Sequence, residues 1–319
     1  MRLWLSMALL FLNVVGSNAQ NYPSRPIKLI AGFPAGGVSD SVARILAEAM
    51  QARVGQPVFV ENKPGGSGIL STQEVVRAQP DGYTLLIGGF GGQLIPPLVI
   101  ANYPVDITRD LTILPGIAEF MNVLTINRKL PVSSVSELVR YGKENPGKLT
   151  FGSAGVGTSN YLSAVLFMQK TGVQMTHVPY RGGFGPTTDL LSGSIDVVFE
   201  NVPIMMGQKG SDALMMLAVT GRNRSDQFPE IPTMQEAGIG DYTLASWVSV
   251  FGPPGMPLEL TKQISDTIVA ATRDASVQEK LKKIGFTPLE RGHQEFTTFF
   301  LEERARWKAV IDKAGIKAQ

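Results

Sequence analysis

The chain has 319 residues, a length that suits two medium-sized cores better than one. It is 44% hydrophobic and 18% charged with 34 Gly and 21 Pro, which excludes the disordered and coiled-coil classes and leaves a loop-rich globular protein. A formal charge of +2 with scattered Lys and Arg gives no footprint for a nucleic-acid partner, and the absence of cysteine excludes disulfides, thiol catalysis, thiolate metal sites and a lipid-modified N-terminal Cys.

Arg2 precedes an apolar run from Leu3 to Val15, and Gly16-Ser17-Asn18-Ala19-Gln20 follows. A positive start, a short apolar stretch and small residues at Ser17 and Ala19 predict a secretory signal over residues 1–19. The run is too short for a permanent span. A buried core helix is the competing reading, which the small-residue ending disfavours. The mature chain is therefore expected to be exported and soluble.

Three early stretches repeat one order: short apolar run, glycine-rich loop, helix. Ile27–Phe33 reads as a buried strand broken by Pro34-Ala35-Gly36-Gly37, and Val42, Ile45, Leu46, Ala49 and Met50 then recur at helical spacing. Val58–Val60 is a second strand, ended by Asn62-Lys63-Pro64-Gly65-Gly66. Thr84–Ile87 is a third, ended by Gly88-Gly89-Phe90-Gly91-Gly92. Strands alternating with helices predict an α/β fold with a mostly parallel sheet flanked by helices.

The same order restarts in the middle. Val123–Ile126 reads as a strand, and Ser134-x-x-Glu137 as a capping box opening a helix that Asn145-Pro146-Gly147 ends. Strand Leu149–Phe151, loop Gly152–Gly157 and a helix from Thr158 to Lys170 follow. His177–Tyr180 is a strand end, Ile195–Phe199 and Leu214–Val219 are further strands, and a short helix ends near Ser192-Gly193. Strand Ser246–Phe251 leads to two helical stretches, Leu258–Asp274 and Gln294–Ala314, expected to pack back on the first unit. The division predicted is residues 20–123 plus 244–319 for one lobe and 124–243 for the other. Two crossings between lobes make a hinge.

Two of the glycine loops stand out. Phe33, Pro34, Ala35, Gly36 and Gly37, with Ser39, open the first helix of one lobe. Ser153, Ala154, Gly155 and Gly157, with Thr158 and Ser159, open a helix of the other. Each lies where a strand's carboxyl end meets a helix start, the usual ligand crevice of an open α/β sheet. A helix start carries unpaired N–H groups and a partial positive charge, glycine admits close approach, and Ser and Thr add hydroxyl donors. Two such loops predict facing anion cradles. Either loop alone is equally a tight turn with a satisfied cap. Asp40 would repel an anion at the helix start, and is expected to bond loop amides from behind. Neutral donors in this number suit a dissociation constant of roughly micromolar or below.

The competing class is a secreted α/β enzyme acting on a small anionic substrate. It needs a paired base and nucleophile. The only histidines are His177, at a strand end with no evident partner, and His293, in a polar segment. No histidine pair has metal spacing, and Gly152-x-x-Gly155-x-Gly157 is not the dinucleotide order. No cofactor is expected, and no catalytic residue.

Several ordered motifs resemble one family. Tyr22-Pro23-Ser24-Arg25-Pro26-Ile27, Phe33-Pro34-Ala35-Gly36-Gly37 with Asp40, and Val60-Glu61-Asn62-Lys63-Pro64-Gly65 are similar to the tripartite tricarboxylate transporter substrate-binding family, the Bug receptors. So are Pro80-Asp81-Gly82-Tyr83-Thr84-Leu85, Gly152-Ser153-Ala154-Gly155 with Gly157-Thr158-Ser159, His177-Val178-Pro179-Tyr180-Arg181-Gly182, Leu217-Ala218-Val219-Thr220 and Ile231-Pro232-Thr233-Met234-x-Glu236-Ala237-Gly238. The resemblance runs from Tyr22 to Lys317. It implies a periplasmic two-lobed Venus-flytrap fold of the type II binding-protein kind, a monomer holding a small carboxylate between its lobes. The partners it implies are the membrane subunits of an ion-driven tripartite transporter or a sensor protein. Carried over by motif, the contacts are Phe33 to Gly37 with Ser39, and Ser153 to Ser159. Gly89, Tyr180 and Asn201 are added as further candidates. Tyr180 has the alternative of packing in the lobe core, and Asn201 that of capping the next turn. Asn160-Tyr161 departs from the His-Leu of many relatives, and Phe90 has two readings, an aromatic wall for the ligand or a plug in the first lobe.

Overall fold

The computed structural model describes residues 22–180 and 184–316. The expected signal segment, the Arg181-Gly182 end of the His177 motif and Lys317 lie outside the described residues.

Strand β1 (Ile27–Ala31) is almost wholly buried and leads into α1 (Val38–Val54), which turns Val42, Ala43, Leu46, Ala47 and Met50 inward and stops at a left-handed Gly55. β2 (Val58–Asn62), α2 (Ile69–Val76) and β3 (Thr84–Gly89) complete a parallel set in the order β2-β1-β3. A π-helical turn at Phe90–Leu94 and two single turns, α3 (Pro96–Val99) and α4 (Ile107–Asp110), lead to β4 (Thr112–Asn127). Phe90 is the plug of the two readings: it is 1% exposed and meets Trp307 edge-on at 5.3 Å.

β4 runs for 16 residues, far longer than the Val123–Ile126 segment the sequence suggests. Register shifts between Ile113 and Gly116 and between Gly116 and Ala118 let Pro115 and Gly116 stand within the strand without ending it. Next comes α5 (Val135–Glu144), whose N-cap Ser134 Oγ accepts from the Glu137 N–H at 3.2 Å. The returning half of the box closes one residue early, since Glu137 Oε2 accepts from the N–H of Ser133 at 2.7 Å.

β5 (Leu149–Ser153), α6 (Ser159–Thr171), β6 (Met175–Pro179), α7 (Gly185–Ser192), β7 (Val197–Asn201), α8 (Val202–Met205) and β8 (Leu214–Val219) form the second set. β9 (Ala245–Gly252) then returns between β3 and β4. The C-terminal region holds α9 (Leu258–Thr272), α10 (Ala275–Lys283), β10 (Thr287–Pro288) and α11 (His293–Ala314). α10 is absent from the sequence reading. Its start is set by Asp274, whose Oδ1 accepts from the Ser276 N–H at 3.0 Å.

The strands form one curled sheet in the order β2-β1-β3-β9-β4-β7-β5-β6, with β8 and β10 also pairing with β4. Helices cover both faces. α1, α9 and α10 pack one side of the first set through Leu46, Ile264, Ile268 and Leu281. Phe296, Phe300 and Trp307 of α11 pack the other side, in an apolar cluster that continues into Leu162 and Phe167 of α6. Each such buried aromatic contributes on the order of 1.5–3 kcal/mol. Among the described residues no helix is long and apolar enough to cross a membrane.

Strand direction decides where the loops go. β4 is shared: Thr112–Met121 pairs with β9, and Asn122–Asn127 pairs with β7 and β8. β9 is antiparallel to both β3 and β4, so β1, β2 and β3 run the same way as β4, toward the second set. β7 is antiparallel to β4 and parallel to β5, which is parallel to β6, so these three run toward the first set. The carboxyl ends of the two sets therefore point at one another.

Candidate functional site

Register puts a length on that opposition. Gly89, at the end of β3, is level through Val248 with Ala118 of β4, and Asn201, at the end of β7, pairs with Asn122. The two ends are four positions apart on β4, about 13 Å of strand. The loops after β1 and β5 lie on either side of this gap. The loop after β5 reaches the first set at α3: a Cβ built on Gly157 would stand 3.3 Å from Ile95 Cγ2 and 3.5 Å from Val99 Cγ2.

The first loop is exposed at Pro34, Ala35 and Gly36 and half-buried at Phe33, Gly37 and Ser39. Its shape comes from behind. Asp40, 3% exposed, accepts the Gly36 N–H at 2.9 Å, Arg44 Nε at 3.0 Å and Asn62 Nδ2 at 2.9 Å. Asn62 Nδ2 also donates to the Phe33 carbonyl at 3.1 Å. Burial raises the Asp40 pKa, but the hydrogen bonds from Arg44, Gly36 and Asn62 outweigh it and hold the carboxyl below its ordinary range. The charge that would repel an anion is thus bound into a local network. Gly37 is the N-cap and has no side chain to cap with, so the first N–H groups of α1 are left without a capping partner. Phe33 lays its ring against Gly92, where an added Cβ would come within 3.5 Å of it.

The second loop is held by hydroxyls bonded to an imidazole, to backbone groups and to asparagine amides. Ser153, fully buried, has its Oγ 2.7 Å from His177 Nε2 and accepts the Gly155 N–H at 3.1 Å. Thr158 Oγ1 donates to the Gly155 carbonyl at 2.7 Å and accepts the Tyr161 N–H as the cap of α6. Ser159 Oγ donates to Asn201 Oδ1 at 3.2 Å, with Asn122 Oδ1 at 3.5 Å. Gly157 holds a left-handed φ of 90°, which an L side chain rarely adopts. Ala154 and Gly155 are half-buried and Val156 is exposed at the loop tip.

The remaining sequence candidates divide. Asn201 joins the second loop through Ser159. The Gly89 N–H is spent on Gln93 Oε1, and a Cβ there would run into the Trp247 carbonyl, so this glycine is required by packing. Tyr180 places its ring against Gly152 and Gly185 and donates its hydroxyl to Asp189 Oδ2 at 2.6 Å; burial, then Asp189, pushes its pKa up to about 12.

Sequence reasoning missed one buried pairing and two buried polar groups here. The first is the partner of His177, which is Ser153, and the reading of His177 as a residue without a partner is corrected. His177 also stacks on Phe151 at 4.9 Å, and burial lowers its pKa. The period-2 spacing of β5 and β6 carried a weak signal, since parallel neighbours Ser153 and Pro179 share a register position and His177 pairs with Phe151. The second is Asn122, fully buried, whose Nδ2 donates to Ser163 Oγ at 2.9 Å. The third is Glu200, 2% exposed, whose Oε1 accepts from Asn160 Nδ2 at 2.7 Å and from the Asn201 N–H at 2.8 Å. Among the described residues no cluster of His, Cys, Asp and Glu has the makings of a metal site.

A family model described as the tripartite tricarboxylate transporter family receptor matches residues 42–316. Protein BugT of Bordetella pertussis is 32% identical over 301 residues, which is 94% of this chain and 92% of that one. A Cupriavidus necator protein from the gbd 5' region is 33% identical over 304 residues, covering 95% and 92%. Among solved structures, an R. palustris protein with adipate superposes with a TM-score of 0.85 at 33% identity over 93% of this chain and 99% of that one. The periplasmic binding protein BugD gives 0.81 at 28% identity over 93% and 100%. MatC from Rhodopseudomonas palustris, with bound malate, gives 0.79 at 25% identity over 91% and 100%. The curled α/β sheet of this chain has the fold of these neighbours, the periplasmic binding protein BugD among them.

Proposed function

The chain belongs to the tripartite tricarboxylate transporter receptor family, and from that premise we propose that it is a periplasmic solute-binding protein that captures a small carboxylate between two lobes. The observation that carries this reading is the opposition of the strand ends, which aims the Phe33–Gly37 and Ser153–Ser159 loops into one gap. Residues 20–123 plus 244–319 form one lobe and 124–243 the other, joined through β4 and the segment before β9. The adipate and malate held by two structural neighbours support a carboxylate in the gap.

Recognition is by neutral donors. The uncapped N–H groups of α1 and the backbone of the Ala154–Gly157 loop supply charge-assisted hydrogen bonds to an anion, each contributing about 1.5–3 kcal/mol. Three or four of these, less the cost of ordering and closure, suit reversible binding at roughly micromolar affinity or below. The protein releases its ligand unchanged, as a monomer, to the membrane subunits of a tripartite transporter or to a sensor.

Ser153 and His177 make the one pair that an enzyme reading would seize on. Ser153 is fully buried and its oxygen already holds the Gly155 N–H, and among the described residues no carboxylate orients the other His177 nitrogen. The pair holds the loop. A thermal-shift panel of mono-, di- and tricarboxylates with the mature protein tests the reading. A binder at 100 times its dissociation constant adds about 2.7 kcal/mol of stability and is recovered intact. A panel without a binder, or a binder converted to product, overturns it.

A further inference from the structure

Glu200 is a buried carboxyl with no cation against it among the described residues. It is the penultimate residue of β7, 2% exposed, and its acceptor bonds come from neutral donors, Asn160 Nδ2 at 2.7 Å and the Asn201 N–H at 2.8 Å. The elements packed on β7 are β4, β5, α6, α7 and α8. Their titratable side chains are Glu119 on β4, Tyr161 and Lys170 on α6, and Asp189 on α7. Lys170 is paired with Asp241 at 2.6 Å, Asp189 holds the Tyr180 hydroxyl, and Tyr161 packs on Phe151 and His177. His177 on β6 reaches Ser153 instead. No salt bridge involves Glu200 among the described residues.

Both partners of Glu200 belong to the second loop's support. Asn160 follows Ser159 on the first turn of α6, and Asn201 accepts the Ser159 hydroxyl. A charge arriving on that loop is therefore felt at Glu200 through one layer of hydrogen-bonded groups. We infer that Glu200 is a positioning residue that takes up a proton from solvent when a carboxylate binds, so that anion capture and protonation of this side chain are one coupled step. The inference rests on the carboxylate reading above. Its chemistry is that of two like charges in a low-dielectric site: a bound anion disfavours the second carboxylate and raises its proton affinity. Linkage makes the effect reciprocal, so protonation of Glu200 tightens the anion. Burial against neutral donors already brings the free carboxyl to about 7, which puts the coupling in the physiological range.

The test is calorimetric titration of the mature protein with adipate and with malate, in buffers of different ionisation enthalpy. With a free value of about 7, wild type takes up about half a proton per bound dicarboxylate at pH 7. Its affinity falls by up to about tenfold per pH unit above that point. Glu200→Gln keeps the shape and the acceptor oxygen, and it binds with no uptake and a flat pH profile. His177→Gln retains the uptake, whatever its affinity. Binding heat without uptake, or uptake that survives in E200Q, overturns the inference while leaving carboxylate binding intact. No binding of either probe overturns the inference, and the carboxylate panel then decides the reading beneath it. Should E200Q fail to fold, the carboxyl carbon signal of Glu200 in wild type decides: a titration near 7 that moves up with adipate or malate supports the coupling, and one that stays in place contradicts it.

Discussion

Ser153 Oγ lies 2.7 Å from His177 Nε2, tying the end of β5 to β6 beneath the glycine loop that follows. The same oxygen accepts the Gly155 N–H, so one buried hydroxyl fixes both a strand pair and a loop. Ser153→Ala leaves that N–H and the imidazole without a partner, at a cost of about 1–3 kcal/mol. Chemical denaturation should show this loss, and carboxylate affinity should drop about tenfold or more in the same variant.

His177 adds a pH dependence. Burial lowers its pKa, so the native protein holds it neutral while the unfolded chain protonates it near 6.5. The unfolded state then binds more protons below that value, and stability is lost as pH falls from about 6.5 toward the lowered native value. Melting curves from pH 7 to 5 should fall more steeply for wild type than for His177→Gln. Parallel curves would remove His177 from the account.

Asp40 shapes the first loop. Its pKa is held low, so its contribution is present above the ordinary carboxylate range and is lost as pH falls through the native value. Asp40→Ala removes the acceptor of Gly36, Arg44 and Asn62 together. It should lower the melting temperature and weaken carboxylate binding although it takes away a negative charge. A gain in affinity would mean that repulsion of the ligand outweighs loop shape.

Gly157 lies beside Ile95 and Val99 of the first set. A Cβ there meets Ile95 and imposes a left-handed conformation on an L residue. Gly157→Ala should cost about 1–2 kcal/mol and hold the two sets slightly apart. Small-angle scattering of the variant with and without adipate should then show less compaction than wild type.

Glu200 has the opposite sign to Asp40. Its pKa is raised from 4.5 to about 7, so the native state keeps a proton that the unfolded chain releases across that window, and stability falls as pH rises from 4.5 to 7. The difference amounts to about 3 kcal/mol. Glu200→Gln should melt higher than wild type at pH 8 and close to it at pH 4.5. Equal melting temperatures at pH 8 would show that the carboxyl is solvated.

Much of this molecule is legible in its residues. Leu214–Val219 is a strand at the bounds the apolar run suggests, and the Pro-Ala-Gly-Gly and Ser-Ala-Gly-x-Gly loops fall between strand and helix. These features depend on neighbours in sequence, where period and turn chemistry act. Most of β4 is not legible from its neighbours in sequence, because Thr112–Met121 is held as strand by pairing with β9, about 130 residues away. α10 is not legible because the periodic run stops at Asp274, and nothing periodic reveals that this residue caps a further helix. Asn122–Ser163 and Glu200–Asn160 are not legible for a related reason: each joins a strand to a helix, where polar residues carry no periodic signal, and Ser153–His177 leaves only the weak period-2 signal of two parallel strands.

The central claim is that a single carboxylate ligand engages the Phe33–Gly37 loop and the Ser153–Ser159 loop together. Titrating adipate into the nitrogen-15-labelled mature protein, while following the amide signals of Gly36, Gly37, Gly155 and Gly157, tests it most directly. All four should shift along one binding curve with one dissociation constant. Shifts confined to one loop, or binding that leaves both loops unmoved, would contradict it.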